Sequence, residues 1–206
     1  MGENATAGRG VLGRARGFVK GRPASQKVGG GVAAALLASA PFGGLAAVPE
    51  PGPEPIAKGK AVMVGPYEVV VDQVVELPDL KPAVSPEPSE RVVVVDMKVT
   101  LTGDRPEYAV TLTKNVSLTG GGVEVVDGPD LYFVEDATRM SNINPGLTYR
   151  LALTYTTSGP WQGDSVTVSS NLVEFREEDK QTLDPDAWVA RDKIQSRGTF
   201  PLVRRS

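Results

Sequence analysis

Carboxylates are the abundant reactive side chains of this sequence, which has 25 Asp and Glu but neither His nor Cys. Without imidazole it lacks the usual general base, the commonest zinc ligand and the side chain that titrates near neutral pH. A Ser-His-Asp hydrolase is therefore excluded. Without a thiol there is no disulfide, no thiolate metal site, no cysteine nucleophile and no acylated lipoprotein anchor. Asp127, Asp130, Glu135 and Asp136 cluster around one segment, and such oxygen ligands suit calcium. Their spacing matches no EF-hand loop, and Gly128-Pro129 accounts for the segment as a hairpin turn. Glu177-Glu178-Asp179 and Asp184-Pro185-Asp186 form a second acidic run. A glycosidase needs two acids fixed across a cleft; nothing here places them so, and a solvated loop is the plainer reading. Ser165, Ser169 and Ser170 share a Ser/Thr-rich strand without a Ser-x-x-Lys spacing. Trp161, within Ser158-Gly159-Pro160-Trp161-Gln162-Gly163, belongs to a loop. It is either an exposed anchor for sugar or protein or a ring folded onto the domain edge. Tyr108, Tyr149 and Tyr155 would join it in a sugar-binding reading. No catalytic residue, cofactor-binding residue, metal ligand or cofactor is assigned from these patterns, and catalysis is not expected.

The elements that position these groups read as strands. Tyr67, Val69 and Val71 alternate with Glu68, Val70 and Asp72, after Ala61–Val64 and a break at Gly65-Pro66. Leu77–Ser89 contains Pro78, Pro82, Pro86 and Pro88 and is an irregular excursion, since proline cannot donate to a ladder. Arg91–Thr102 is the strongest strand: Val93, Val95, Met97, Val99 and Leu101 form an unbroken apolar face. Strands are further expected over Tyr108–Leu118, Val123–Val126, Leu131–Val134, Leu147–Thr157 and Ser165–Phe175. The charged tail, with Trp188, ends in a short strand at Thr199–Val203. Turns fall at Gly103–Pro106, Gly120–Gly122, Asp127–Asp130 and Asn144–Gly146. Short strands at this spacing predict a β-sandwich or barrel.

Charge patterning sets the expected location. Residues 1–48 carry six basic side chains, Arg9, Arg14, Arg16, Lys20, Arg22 and Lys27, against Glu3. The remainder carries 16 basic and 24 acidic residues, so the two parts are +5 and −8. All six cations precede Val28–Val48, 21 uncharged residues rich in Ala and Gly. At 1.5 Å per residue that run spans a bilayer core of roughly 30 Å. Positive-inside bias then leaves the basic tail in the cytoplasm and the rest outside. The run is diluted by Gly29, Gly30, Gly31, Gly43, Gly44 and Pro41, so a cleaved signal and a cytosolic Ala/Gly tract stand beside an anchor. Ala38-Ser39-Ala40 and Gly44-Leu45-Ala46 are the candidate cleavage sites. A basic tail alone gives only non-specific nucleic-acid binding, and its place before an apolar run explains its charge more simply. Alternating prolines from Pro49 to Pro55 favour a semi-rigid extended stalk over a PxxP ligand. The expected divisions are a disordered tail (1–27), an anchor or signal (28–48), a Pro-rich linker (49–59) and a β domain (60–206).

Several segments carry a likeness. Val64-Gly65-Pro66-Tyr67-Glu68-Val69 opens a strand, and Arg91-Val92-Val93-Val94-Val95 begins a long central one. Val99-Thr100-Leu101-Thr102-Gly103-Asp104-Arg105-Pro106 ends that strand, and Ile143-Asn144-Pro145-Gly146-Leu147 makes a Pro-Gly turn. Together with the late Trp188, residues 60–203 resemble a group of mostly actinobacterial, membrane-tethered immunoglobulin-like domains. These are relatives of telokin-like extracellular domains of unknown function. Leu101 departs from the pattern, standing where asparagine is usual. The resemblance implies an immunoglobulin-like β-sandwich behind an N-terminal transmembrane or signal helix, and supplies no catalytic residue. The expected function is non-catalytic binding or assembly in a bacterial cell envelope, single-pass with the C-terminal domain outside. The partner is an envelope protein or glycan, with the membrane engaged through residues 28–48. A secreted carbohydrate- or cell-wall-binding module is the alternative.

Overall fold

Val93, Val95, Met97, Val99 and Leu101 are each at most 1 % exposed, so the apolar alternation does face the core. The computed structural model describes residues 51–178 and 185–205. The basic tail, the uncharged run Val28–Val48 and the start of the Pro-rich segment lie outside the described residues. The strands are β1 (Glu54–Pro55), β2 (Ala61–Val64), β3 (Tyr67–Leu77), β4 (Arg91–Leu101), β5 (Glu107–Tyr108), β6 (Val116–Thr119), β7 (Val125–Phe133), β8 (Asn142–Ile143), β9 (Thr148–Thr157), β10 (Ser165–Glu178) and β11 (Pro185–Arg204). One short helix, α1 (Ala109–Thr113), lies between β5 and β6.

Nine strands form one curled sheet in the order β6-β10-β11-β3-β4-β9-β7, with β1 added on β11 and β2 on β3. The curl comes from β11. Its longer part pairs antiparallel with β10, while Leu202–Arg204 runs parallel to Val74–Glu76 of β3. The halves enclose one core: Val116, Val166, Val168 and Phe200 from one side meet Val71, Val95, Met97 and Leu153 from the other. The chain is thus all-β in its sheets, with a sandwich-like layering. β5 and β8 form a separate two-stranded ribbon.

The other face of β4 begins apolar and turns polar. Val92 and Val94 are buried with Ala152 beneath Leu77, Leu80 and Val84, so the proline-rich excursion roofs the outer face. Further along, Asp96 accepts from Arg150 Nη2 at 2.8 Å, Arg150 Nε at 3.3 Å and Gln73 Nε2 at 3.0 Å. Burial pushes the Asp96 carboxyl up, but the hydrogen bonds and charge of Arg150, with Gln73, outweigh it and leave the group below its ordinary value.

Four expectations are corrected. Tyr108–Leu118 is not one strand but β5, α1 and β6. Ala109, Leu112 and Thr113 are buried together, a spacing of three and four that suits one helical face. Tyr108 and Val110 are 69 % and 47 % exposed, whereas Leu112 is fully buried. The segment around Asp127–Asp130 is no hairpin turn. It lies within β7, whose ladder to β9 shifts register between Val125 and Asp127 and between Asp127 and Asp130, so bulges absorb the extra residues. The C-terminal strand is 20 residues long, not a short piece at Thr199–Val203. The linker expected over 49–59 joins the domain early. Glu54–Pro55 pairs with Ser196–Arg197, the Ile56 N–H donates to Arg197 O at 2.9 Å, and Ile56 is buried. Gly198 permits this approach, because a Cβ there would collide with the Ile56 carbonyl.

Candidate functional site

Beyond Ser170, β10 and β11 leave the sheet as a ribbon, Asn171 to Arg176 pairing with Ala187 to Ile194. Side chains alternate across a ribbon. One face carries Val173 and Phe175, and the directly opposed Phe175 and Trp188 rings lie 5.2 Å apart at 58°. On the other face Arg191 Nε meets Glu174 Oε2 at 2.7 Å. Val173 and Trp188 pack toward the Gly65 turn between β2 and β3. That turn is held by Thr102, whose N–H and hydroxyl both donate to Pro66 O at 2.9 Å.

Between ribbon and turn lies an open cleft of about 520 Å³, lined by Pro66, Gly103 to Glu107, Phe175 and Trp188. Phe175 is 46 % exposed and Trp188 half-buried, unlike the buried Tyr67, Tyr155, Trp161 and Phe200. Burial pushes the Glu107 carboxyl above its ordinary value, against the side-chain hydrogen bond from Trp188 and the charge of Arg105. Arg105 Nε also stands 3.9 Å from Asp104 Oδ1. The cleft therefore combines two aromatic residues, two prolines and charges of both signs. Apolar rings beside a few polar groups are the usual lining of a ligand site.

The residues singled out in the sequence lie elsewhere. Trp161 is 3 % exposed and takes the folded-in alternative, its indole N–H donating to Ser165 O at 2.9 Å. Its ring fills the place of a side chain at Gly121, which has φ +74°. Tyr155 is buried as well, its hydroxyl donating to Val116 O at 2.9 Å, and burial pushes that hydroxyl up. Tyr149 packs edge-on against Phe133, while Tyr108 stands exposed at a different cleft with Val110, Lys114 and Met140.

Asp127 and Asp130 line a third cleft, of about 340 Å³, with Glu87 and Glu90 from the proline-rich excursion. Several of these acids are engaged: Asp130 pairs with Arg139, Glu90 accepts from the Glu87 N–H at 2.8 Å, and Asp136 Oδ1 accepts from the Thr138 N–H at 2.9 Å. No group of three metal-ligating side chains occurs among the described residues. Ser170 is 1 % exposed without a hydrogen-bond partner for its hydroxyl among the described residues, and Ser169 Oγ accepts from Arg197 Nε at 3.3 Å. Glu177 is exposed on β10, whereas Asp179 and Asp184 lie outside the described residues. Among the described residues no helix is long and apolar enough to cross a membrane.

The Phe175–Trp188 pair was missed because its two members sit in segments read as strand end and charged tail. The available signal was the pairing of one aromatic late in a strand with another soon after the acidic run.

No protein-family model and no curated protein matches the chain. Solved structures similar to it include an uncharacterized β-sandwich protein from Clostridium difficile 630, at 10 % identity and a TM-score of 0.47, with 75 % of this chain and 97 % of that one covered. A candidate lipoprotein from Bacillus subtilis aligns at 17 % identity and a TM-score of 0.40, covering 70 % of this chain. This chain spans 38 % of the length of that second protein.

Proposed function

We propose that this chain is a non-catalytic binding or assembly module of a bacterial cell envelope. In this reading the basic tail is cytoplasmic, residues 28–48 anchor the chain or direct its release, and the β domain works outside. The domain is then an immunoglobulin-like sandwich of the actinobacterial membrane-tethered kind that residues 60–203 resemble. The observation that carries the binding reading is the Phe175–Trp188 pair, held half-exposed on a braced ribbon above a cleft of mixed charge. Large apolar rings kept at the surface cost solvation and mark contact sites. Neither His nor Cys is present to support catalysis.

The second reading, a carbohydrate- or cell-wall-binding accessory module, is favoured by the carboxylates and aromatic rings that share this cleft. It no longer draws on Trp161 or Tyr155, both buried.

A photo-crosslinking residue at position 175 of the full-length protein should capture an envelope component in intact cells, and one at exposed Lys114 should not. Protease added to protoplasts should remove the β domain and spare the tail. Equal capture at both positions would remove the site, and protection of the whole chain would remove the location.

A further inference from the structure

We propose that the Phe175–Trp188 cleft binds an uncharged glycan, its rings stacking on sugar C–H faces while Asp104, Arg105 and Glu107 hold the hydroxyls. This rests on the binding-module reading and gives it a ligand class. The cleft volume of about 520 Å³ falls within the roughly 300–1,000 Å³ of ordinary ligand sites. Two features of the lining select the chemistry.

The first is charge. Arg105 stands beside the Asp104 carboxylate and bears on the charge of Glu107. Two carboxylates thus stand against one guanidinium, and the negative excess disfavours an anionic ligand while Arg105 tempers the pull on a cation. The second is hydrogen-bonding capacity. Ionised carboxylates only accept and a guanidinium only donates. A sugar hydroxyl does both, so one polyol can satisfy both kinds of group at once. A polyproline segment would fit the aromatic and proline walls, but its backbone has no donor for Asp104 or Glu107.

Sugar C–H groups are weakly positive, and aromatic faces carry the negative part of the ring quadrupole. Phe175 and Trp188 line the cleft with their ring centroids 5.2 Å apart, which places aromatic surface against a ligand there. Their support limits the ordering needed on binding: Val173 is buried beneath the ribbon, and Thr102 fixes the opposite wall through Pro66.

The test is isothermal titration of the full-length protein, in detergent where the anchor is retained. The probes are neutral hexasaccharides of β-glucan, α-glucan, mannan and N-acetylglucosamine, with hexagalacturonate and a proline decapeptide alongside. At least one neutral hexasaccharide should bind, Trp188→Ala should weaken it tenfold or more, and Trp188→Phe should recover part of the loss. Glu107→Gln is the second variant; it keeps the side-chain shape and should weaken binding severalfold, with an unchanged melting temperature as the folding control. A flat response to all four neutral sugars overturns the inference, as does binding that ignores both substitutions. Preference for hexagalacturonate or the proline peptide also overturns it. In that case capture at position 175 in cells would still stand, so loss of the glycan and loss of the binding-module reading are separable.

Discussion

Glu76 and Arg204 meet at 3.2 Å although 128 positions separate them in sequence. Glu76 is buried at the end of β3, and its other oxygen accepts from the Trp161 N–H at 2.6 Å. Arg204 also reaches Asp164 Oδ1 at 3.0 Å and Trp161 O at 3.2 Å. One carboxylate and one guanidinium thus fasten the Trp161 loop to the place where β11 joins β3.

Replacing Glu76 with Ala should therefore destabilise the domain by about 2–3 kcal/mol, the scale of hydrogen bonds to a charged group. Glu76→Gln keeps an acceptor for the Trp161 N–H and should lose less. The urea midpoint measures both; a wild-type midpoint for the Ala variant would show that the network contributes nothing.

Val95 is fully buried at the centre of β4. Val95→Asp places an unpaired charge there, at a cost of several kcal/mol against a domain stability of about 5–15 kcal/mol. The variant should be largely unfolded by circular dichroism. Lys98→Gln, on the outer face and losing only a surface ion pair with Asp72, should shift stability by less than about 1 kcal/mol. A cooperative wild-type melt for Val95→Asp would mean that the strand faces solvent.

Asp96 carries the acid dependence. Its folded carboxyl lies below the ordinary value of 3.8, so its ionised form favours folding. That contribution is complete above the unfolded value and is lost as pH falls through the folded one. Asp96→Asn should be less stable than wild type at pH 7, and the gap should narrow below about pH 4. A gap that stays constant down to pH 2 would point to packing and not to charge.

Gly198→Ala should expel β1, since the new Cβ meets the Ile56 carbonyl. Overpacking of this kind typically costs about 1–3 kcal/mol. The Ile56 amide, bonded to Arg197 O, should exchange much faster with solvent while the Val95 amide stays protected. Unchanged exchange at Ile56 would show that the neighbouring backbone yields instead.

Legibility in the sequence followed burial. β3, β4 and β9 supply much of the core and carry apolar alternation over most of their length, so their bounds were readable, although β3 changes phase after Val71 and β4 and β9 are also buried on part of the outer face. Tyr108–Leu118 misled because Tyr108, Val110 and Leu112 also sit two apart, and only packing shows that Leu112 belongs with Ala109. β11 was hidden for the opposite reason: its ribbon half pairs with β10 alone and needs no apolar period, so charged residues fill it. The Phe175–Trp188 cleft was illegible because its walls come from positions 66, 103 to 107, 175 and 188. Cross-strand register, and not spacing along the chain, brings them together.

The double attachment of β11 also bears on how the protein comes to be folded. Leu202–Arg204 completes the pairing of β3, and Phe200 completes the shared core. A chain emerging N-terminus first can form β2, β3 and β4 early, but the backbone ladder between β11 and β3 that closes the sheet waits for residues past 200. Contacts between segments so far apart are slow to close. The sheet consequently closes late in synthesis, when nearly all of the described strands are available at once.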